Sequence, residues 1–395
     1  MKNTIIKILL VIFVIISLLE TAYAIPAFAR KYKMSCQTCH SPVPRLKAIG
    51  DEFAGNGFIF LDQEASRYYI DTGDETLSLI RDFPIAVRLD AFITYNNQNS
   101  KQSDLSVPYL VKLLSGGSLA EDLAYYFYFY MSERGEVVGV EDAYIMFNNV
   151  FGSELDIYVG QFQVSDPLFK RELRLTFEDY QVYKIKPGIT KGNLAYDRGI
   201  MLTYGFESGT DIIFEIVNGT GLGEANIFKN FDDDKYKNFI GRVTQDVTDF
   251  ARVGVFGYYG KEKIENNFGN NSINKFWVAG PDVTLGYDDK IELNLQYMIR
   301  KDDALFTDSD ALIPLQIQTK GGMAELIFTP NGDESKWYAA GLFNWIESEI
   351  PNLDYKTSTL HLGYMLRRNI RLTTEFTYDF ENKFGQFGIG VVSGF

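Results

Sequence analysis

Cysteine and histidine are the scarcest reactive residues here: the 395-residue chain has two of each. That rules out a disulfide framework, and a zinc site closed by four Cys or His ligands would find no further donors near the first pair. Apolar runs are equally rare. The one extended run, Ile8 to Leu19, lies at the N-terminus, and no later stretch is long and apolar enough to cross a bilayer as a helix. Amphipathic faces of helical period are scarce as well. Cations are in deficit, with 38 Lys and Arg against 52 Asp and Glu, so the net charge of −14 argues against nucleic-acid binding. No Ser-His-Asp set, phosphate-binding loop or zinc signature is present to support hydrolase or transferase chemistry.

The rare residues that do occur are concentrated. Cys36-Gln37-Thr38-Cys39-His40 uses both cysteines and one histidine in five positions. This is the C-x-x-C-H pattern in which each thiol forms a thioether to a haem vinyl group and the histidine becomes the proximal iron ligand. A thioredoxin-like redox pair would require a βαβ context, and none surrounds this one. One covalent haem c, held by Cys36, Cys39 and His40, is therefore expected. Upstream, Lys2 and Lys7 precede the apolar run, and Ala22-Tyr23-Ala24 supplies a small-x-small site. Residues 1–24 read as a signal peptide cleaved after Ala24, which exports the mature chain to where haem c is attached.

The rest of the chain reads as all-β. Period-2 alternation recurs in segments of about ten residues separated by Gly, Asn and Asp turns, and aromatics make up 15% of the residues. In the C-terminal segment Phe387, Ile389, Val391, Ser393 and Phe395 share one face. The segment before it sets Ile370, Leu372, Thr374, Phe376, Tyr378 and Phe380 against Arg371, Thr373, Glu375, Thr377 and Asp379. An apolar face beside a charged one predicts lipid outside and water inside a transmembrane antiparallel β-barrel, porin-like, of about 16 strands. The predicted spans are 84–96, 106–114, 122–133, 139–148, 153–163, 196–207, 210–219 and 236–246. The second half follows with 250–261, 274–285, 289–301, 318–329, 335–346, 356–367, 370–380 and 384–395. Short connections then alternate with long ones, as periplasmic turns alternate with outer loops. The longest, 164–195, carries Asp166, Lys170, Arg171, Glu172, Arg174, Glu178 and Asp179. It is either folded inward as a constriction or a solvated surface loop with a short helix.

Ahead of the barrel, residues 25–62 do not alternate. A proline-rich turn follows His40, and a short helix is expected to end near Gly55-Asn56-Gly57. So small a piece cannot bury a haem alone, but a sixteen-strand barrel can enclose it as a plug. The expected organisation is signal peptide 1–24, haem segment 25–62, linker 63–83 and barrel 84–395.

From Ile25-Pro26-Ala27-Phe28-Ala29-Arg30-Lys31-Tyr32 through Cys36–His40, Pro44, Leu46, Gly50, Phe53 and Gly57-Phe58, the chain resembles the fused monohaem cytochrome–porins of bacterial outer membranes. That family includes the iron-oxidising outer-membrane cytochromes, and the specific match covers residues 25–60 or so. The resemblance implies a protein of a Gram-negative outer membrane that moves electrons through one haem. The donor would be extracellular Fe(II) or another reductant, and the acceptor a periplasmic c-type cytochrome. Alternatives are outward electron flow, or a porin for small solutes with a structural or sensing haem.

The second axial ligand is open. His361, the remaining histidine, and Met365 both fall on the lumen face of their segment, as do Met298 and Met323 on theirs. His361 is either an iron ligand or a hydrogen-bonded pore residue. Arg45, with Arg30, Lys31, Lys33 and Lys47, makes the haem segment basic. These cations suit haem propionates or lumen carboxylates such as Glu292, Glu325, Glu375 and Asp379. The acidic runs Asp232–Asp234, Asp302-Asp303 and Asp308/Asp310 would attract divalent cations to the outer mouth.

Overall fold

Alternation along each segment is satisfied by a closed sheet: every strand hydrogen-bonds to two neighbours, and the last pairs with the first. The computed structural model describes residues 27–60, 73, 77, 83–98, 102–137, 139–350 and 352–395. The signal peptide and most of the linker expected from the sequence lie outside these residues.

The strands are β1 (Ile85–Asn96), β2 (Gln102–Ala120), β3 (Leu123–Glu133), β4 (Gly139–Phe147), β5 (Leu155–Gln163) and β6 (Tyr196–Gly205). There follow β7 (Thr210–Val217), β8 (Asn238–Thr248), β9 (Ala251–Glu265), β10 (Asn271–Tyr287) and β11 (Ile291–Leu305). The last five are β12 (Leu315–Phe328), β13 (Trp337–Ser348), β14 (Tyr355–Arg367), β15 (Ile370–Asp379) and β16 (Phe384–Gly394). All neighbours are antiparallel, and β1 closes on β16 with Arg88 opposite Gly394 and Asn96 opposite Gln386. Each predicted span overlaps one strand. The largest difference is β2, expected at 106–114 but 19 residues long. Its first residues are exposed and polar, so they carry little alternation, yet they still pair with β1 from Asn96 opposite Gln102.

The two faces separate as expected on β15. Leu372, Phe376 and Tyr378 are exposed outside, whereas Arg371, Thr373, Glu375 and Asp379 are buried inside. Leu360, Val255 and Ile389 extend the apolar outer band around the wall. So continuous an exposed apolar surface is the outer face of a membrane barrel.

The inside is less watery than the alternation implied. Met146, Tyr158, Met201, Val217, Ile240, Tyr258 and Val278 point inward from the consecutive strands β4 to β10 and form one buried apolar cluster. Loop 164–195 folds into the lumen and covers it with Val164, Tyr180, Val182, Tyr183 and Leu194. Three more loop residues, Leu168, Phe169 and Ile185, pack against the same cluster. Burying this area is favourable at about 25 cal/mol per Å², so the loop is held by an internal core as well as by polar contacts.

The segment before the barrel sits in the short-turn mouth of the lumen. It comprises a helix at Ala27–Tyr32, a 3-10 turn at Cys36–Thr38 and a second helix at Ala48–Gly55. The second helix ends where the sequence placed it. Phe28, Tyr32, Phe53, Phe58 and Phe60 make a small aromatic core of stacked and edge-on rings, joined to the wall by Phe58 stacked on Tyr126 of β3. On the opposite side Val43 packs against the cluster of Leu175, Ile327, Tyr338 and Met365.

Candidate functional site

The Cys36–His40 turn is fixed by its own backbone. Ser35 caps the 3-10 turn, and the His40 amide donates to the Cys36 carbonyl at 2.9 Å. The Lys47 amide returns to the Cys39 carbonyl at 2.8 Å, folding the proline-rich loop back under the motif. Both thiols are free and half-buried, and burial pushes the thiol pKa of each above its ordinary value. His40 Nδ1 lies 2.8 Å from the Pro44 carbonyl and 3.2 Å from that of Arg45. A carbonyl only accepts, so Nδ1 carries the proton and Nε2 is left as the basic nitrogen. Burial also lowers the His40 pKa, which keeps the ring neutral.

These features fit a covalent haem. Two thiols and a neutral imidazole come from one turn, and the backbone carbonyls orient the ring as second-shell groups orient metal-bound histidines. Gly50 is part of the same cradle. A Cβ there would stand 2.4 Å from the Cys39 carbonyl oxygen, so only glycine lets the second helix cross the motif this closely.

Charged and polar contacts fix the segment to the wall. Arg45 forms an ion pair with Glu292 of β11, and Lys47 pairs with Asp333 in the β12–β13 turn. Gln37 Nε2 donates to the Asp333 carbonyl at 2.7 Å, and Asn148 Nδ2 donates to the Gly55 carbonyl at 2.8 Å. The basic segment thus finds lumen and turn carboxylates. Glu292 is one of those the sequence offered for Arg45. Among the others, Glu325 accepts from Tyr180 at 2.9 Å, and Asp379 accepts from the backbone of Glu381 and Asn382.

His361 is 2% exposed on the lumen face of β14. Nδ1 lies 2.8 Å from Glu375 Oε2, and Nε2 lies 3.2 Å from the Tyr338 hydroxyl. With the proton on Nδ1, the chain Arg371 to Tyr338 to His361 to Glu375 is satisfied at every step. Both ring nitrogens are therefore occupied, and coordination would require Nε2 to give up Tyr338. Met365 lies two register positions from Gly363, itself opposite Tyr338, and packs in the cluster that Val43 touches. Met298 and Met323 are buried in the larger cluster beside loop 164–195.

That loop crosses the lumen between the two walls. Glu172 meets Lys112 of β2 and accepts from Tyr128 and Tyr130 of β3 at 2.7 and 2.8 Å. Glu375 accepts from the amides of Phe177 and Glu178 at 2.6 and 2.8 Å on the opposite side. Within the loop, Arg171 grips Asp179 through two hydrogen bonds of 3.1 and 2.6 Å. Charge alone marked these loop residues in the sequence; their wall partners Lys112, Tyr128 and Tyr130 carried no sequence signal beyond facing inward. At the outer mouth, Asp232, Asp233 and Asp234 are close enough to hold a cation, but Lys237 and Lys191 already pair with the first two.

Comparison with known proteins identifies the fold. No protein-family model matches the chain, and no curated protein sequence matches it. Solved structures do. An anion-selective porin from Comamonas acidovorans aligns over 80% of this chain and 99% of its own, with a TM-score of 0.55 and 12% identity. The outer membrane channel DcaP of Acinetobacter baumannii aligns over 80% and 97%, with a TM-score of 0.57 and 10% identity. OprB of Pseudomonas putida aligns over 80% and 94%, with a TM-score of 0.53 and 12% identity. The chain therefore has a porin-like sixteen-strand barrel.

Proposed function

We propose that this protein is an outer-membrane cytochrome–porin that transfers electrons across the membrane through one covalently bound haem. The observation that carries the reading is His40. Its Nδ1 is taken by the Pro44 and Arg45 carbonyls, beside two free thiols, on a segment anchored inside a barrel. A haem bound there supplies a one-electron centre; the rest of the chemistry belongs to the protein. Cys36 and Cys39 would hold the group covalently, and His40 would offer its neutral nitrogen to iron. Arg45–Glu292 and Lys47–Asp333 tie the segment that would carry it to the barrel wall, and Val43 packs against the Leu175, Ile327, Tyr338 and Met365 cluster. Extracellular Fe(II) is the favoured donor, and a periplasmic c-type cytochrome the favoured acceptor. Oxidation at the outer face keeps insoluble ferric product outside.

A second reading has specific support. The solved neighbours are outer membrane porins and channels, so the barrel also suits a small-solute channel with a structural or sensing haem. The inward loop packs its apolar residues inside the lumen, which supports the electron-transfer reading against free diffusion.

Anaerobic addition of Fe(II) to the oxidised, detergent-purified protein decides between them. Rapid change of the haem visible bands supports the conduit. Reduction by dithionite but not by Fe(II) moves the donor elsewhere or reverses the flow. Absence of haem bands leaves the porin.

A further inference from the structure

We infer that the lumen holds a carboxylate-binding site centred on Arg371, between β15 and the inward loop. Arg371 is 3% exposed, on the inner face of β15 opposite Met365 of β14 and Val392 of β16. Its hydrogen bonds go to neutral acceptors: Nη1 donates to the Tyr338 hydroxyl at 2.8 Å and weakly to the Leu175 carbonyl at 3.4 Å. Among the described residues no carboxylate pairs with it, and its Nε has no partner. Arg174, on the facing loop, also leaves its Nε without a hydrogen bond, since Asp179 stands 3.7 Å away.

Both side chains line one cavity of about 50 Å³. The other cations around it are already matched: Arg88 by Asp90, Lys112 by Glu172 and Arg171 by Asp179. Glu133 and Glu141 reach the cavity from the β3 and β4 side, and neither pairs with Arg371. A buried guanidinium without a counter-charge is costly, and its planar fork suits a carboxylate better than a spherical anion. One water needs on the order of 10–15 Å³ of such space, so the cavity admits a carboxylate group but not a whole metabolite.

That carboxylate has two sources. It is either a small free carboxylate in the lumen or a propionate of the haem, and the second source rests on the function proposed above. Arg371 stands beside the β14–β15 turn at the end where the haem segment docks, and Val43 touches the Tyr338–Met365 cluster that flanks it.

The test uses the full-length protein purified in detergent, with wild type, Arg371→Gln and Arg371→Lys compared. Acetate binding is measured by titration calorimetry, and the haem midpoint potential by spectroelectrochemistry. If the occupant is a free carboxylate, acetate binds to wild type, weakens about tenfold or more in Arg371→Gln, and is partly restored in Arg371→Lys. If it is a propionate, acetate does not bind. Arg371→Gln then shifts the haem potential to more negative values, because a cation that favours the reduced, more negative haem has been removed, and Arg371→Lys restores much of the shift. A protein with no haem that binds acetate through Arg371 keeps this site and sinks the electron-transfer reading. If acetate does not bind and the potential does not shift, the site is overturned. Should Arg371→Gln fail to fold, Arg174→Gln serves for both measurements.

Discussion

At Gly50 a hydrogen occupies a place where any larger residue would press a carbon against the Cys39 carbonyl. Gly50→Ala is therefore expected to displace the second helix from the motif and destabilise the segment by about 1–3 kcal/mol, with barrel melting unchanged. Limited proteolysis in the first sixty residues measures this; a wild-type digestion pattern would mean the crossing is looser than described. His361 invites a cleaner test. With Nε2 held by Tyr338, His361→Ala should leave the absorption bands of the proposed haem in place, whereas a ligand's loss would move them. At this scale the sequence was informative about identity and facing. Both cysteines and His40 announced themselves by rarity, and parity along β14 and β15 put His361, Met365 and Arg371 inside. It was silent about who meets whom. Glu375 binds His361 and two loop amides, although it lies 14 residues from one and nearly 200 from the others.

The inward loop is an element whose path is decided by contacts at both ends. Burial alone would raise the Glu172 pKa, but Lys112, Arg174 and the Tyr128 hydroxyl outweigh burial and lower it to about 2. Asp179 is likewise held well below the ordinary carboxylate range, because Arg174, Arg171 and Lys184 outweigh its burial. Both folded values lie below an unfolded value near 4, so their contribution is complete above pH 4 or so and fades as the pH falls toward about 2. Loop protection, followed by hydrogen exchange of residues 170–182, should persist to about pH 4 and weaken progressively below that. Glu172→Gln removes the charge that Lys112 was buried against. It is expected to cost about 3 kcal/mol and to free the loop at neutral pH. Unaltered exchange in this variant would mean that the apolar cluster alone holds the loop. The sequence marked this loop by its length and charges but left its direction open, since an inward and an outward loop of this composition read alike. The apolar residues on it, Val164, Val182 and Leu194 among them, matched inward-facing Met146, Met201 and Ile240 only once the strands were wrapped into a ring.

Over the whole molecule, sixteen strands close the sheet and leave no exposed edge, while the loop and the N-terminal segment pack in the interior. A lumen filled in this way should conduct poorly. In planar bilayers the intact protein is expected to show low single-channel conductance, rising several-fold when residues 168–190 are replaced by a short glycine linker. High conductance from the intact protein would instead favour the solute-channel reading. Strand number, the facing of the side chains and the grouping of Cys36, Cys39 and His40 in one turn ahead of the barrel were all determined by the sequence. Each follows from local rules: side chains alternate at period two, short turns join antiparallel neighbours, and thiols three positions apart belong to one turn. The contents of the lumen were decided only by tertiary structure. Closing the sheet brings β2, β3, β12 and β15 around a single loop, so Glu172, Glu375 and Arg371 acquire their surroundings from partners far away in the chain. No local pattern encodes those meetings, because they depend on the curvature that closes the ring.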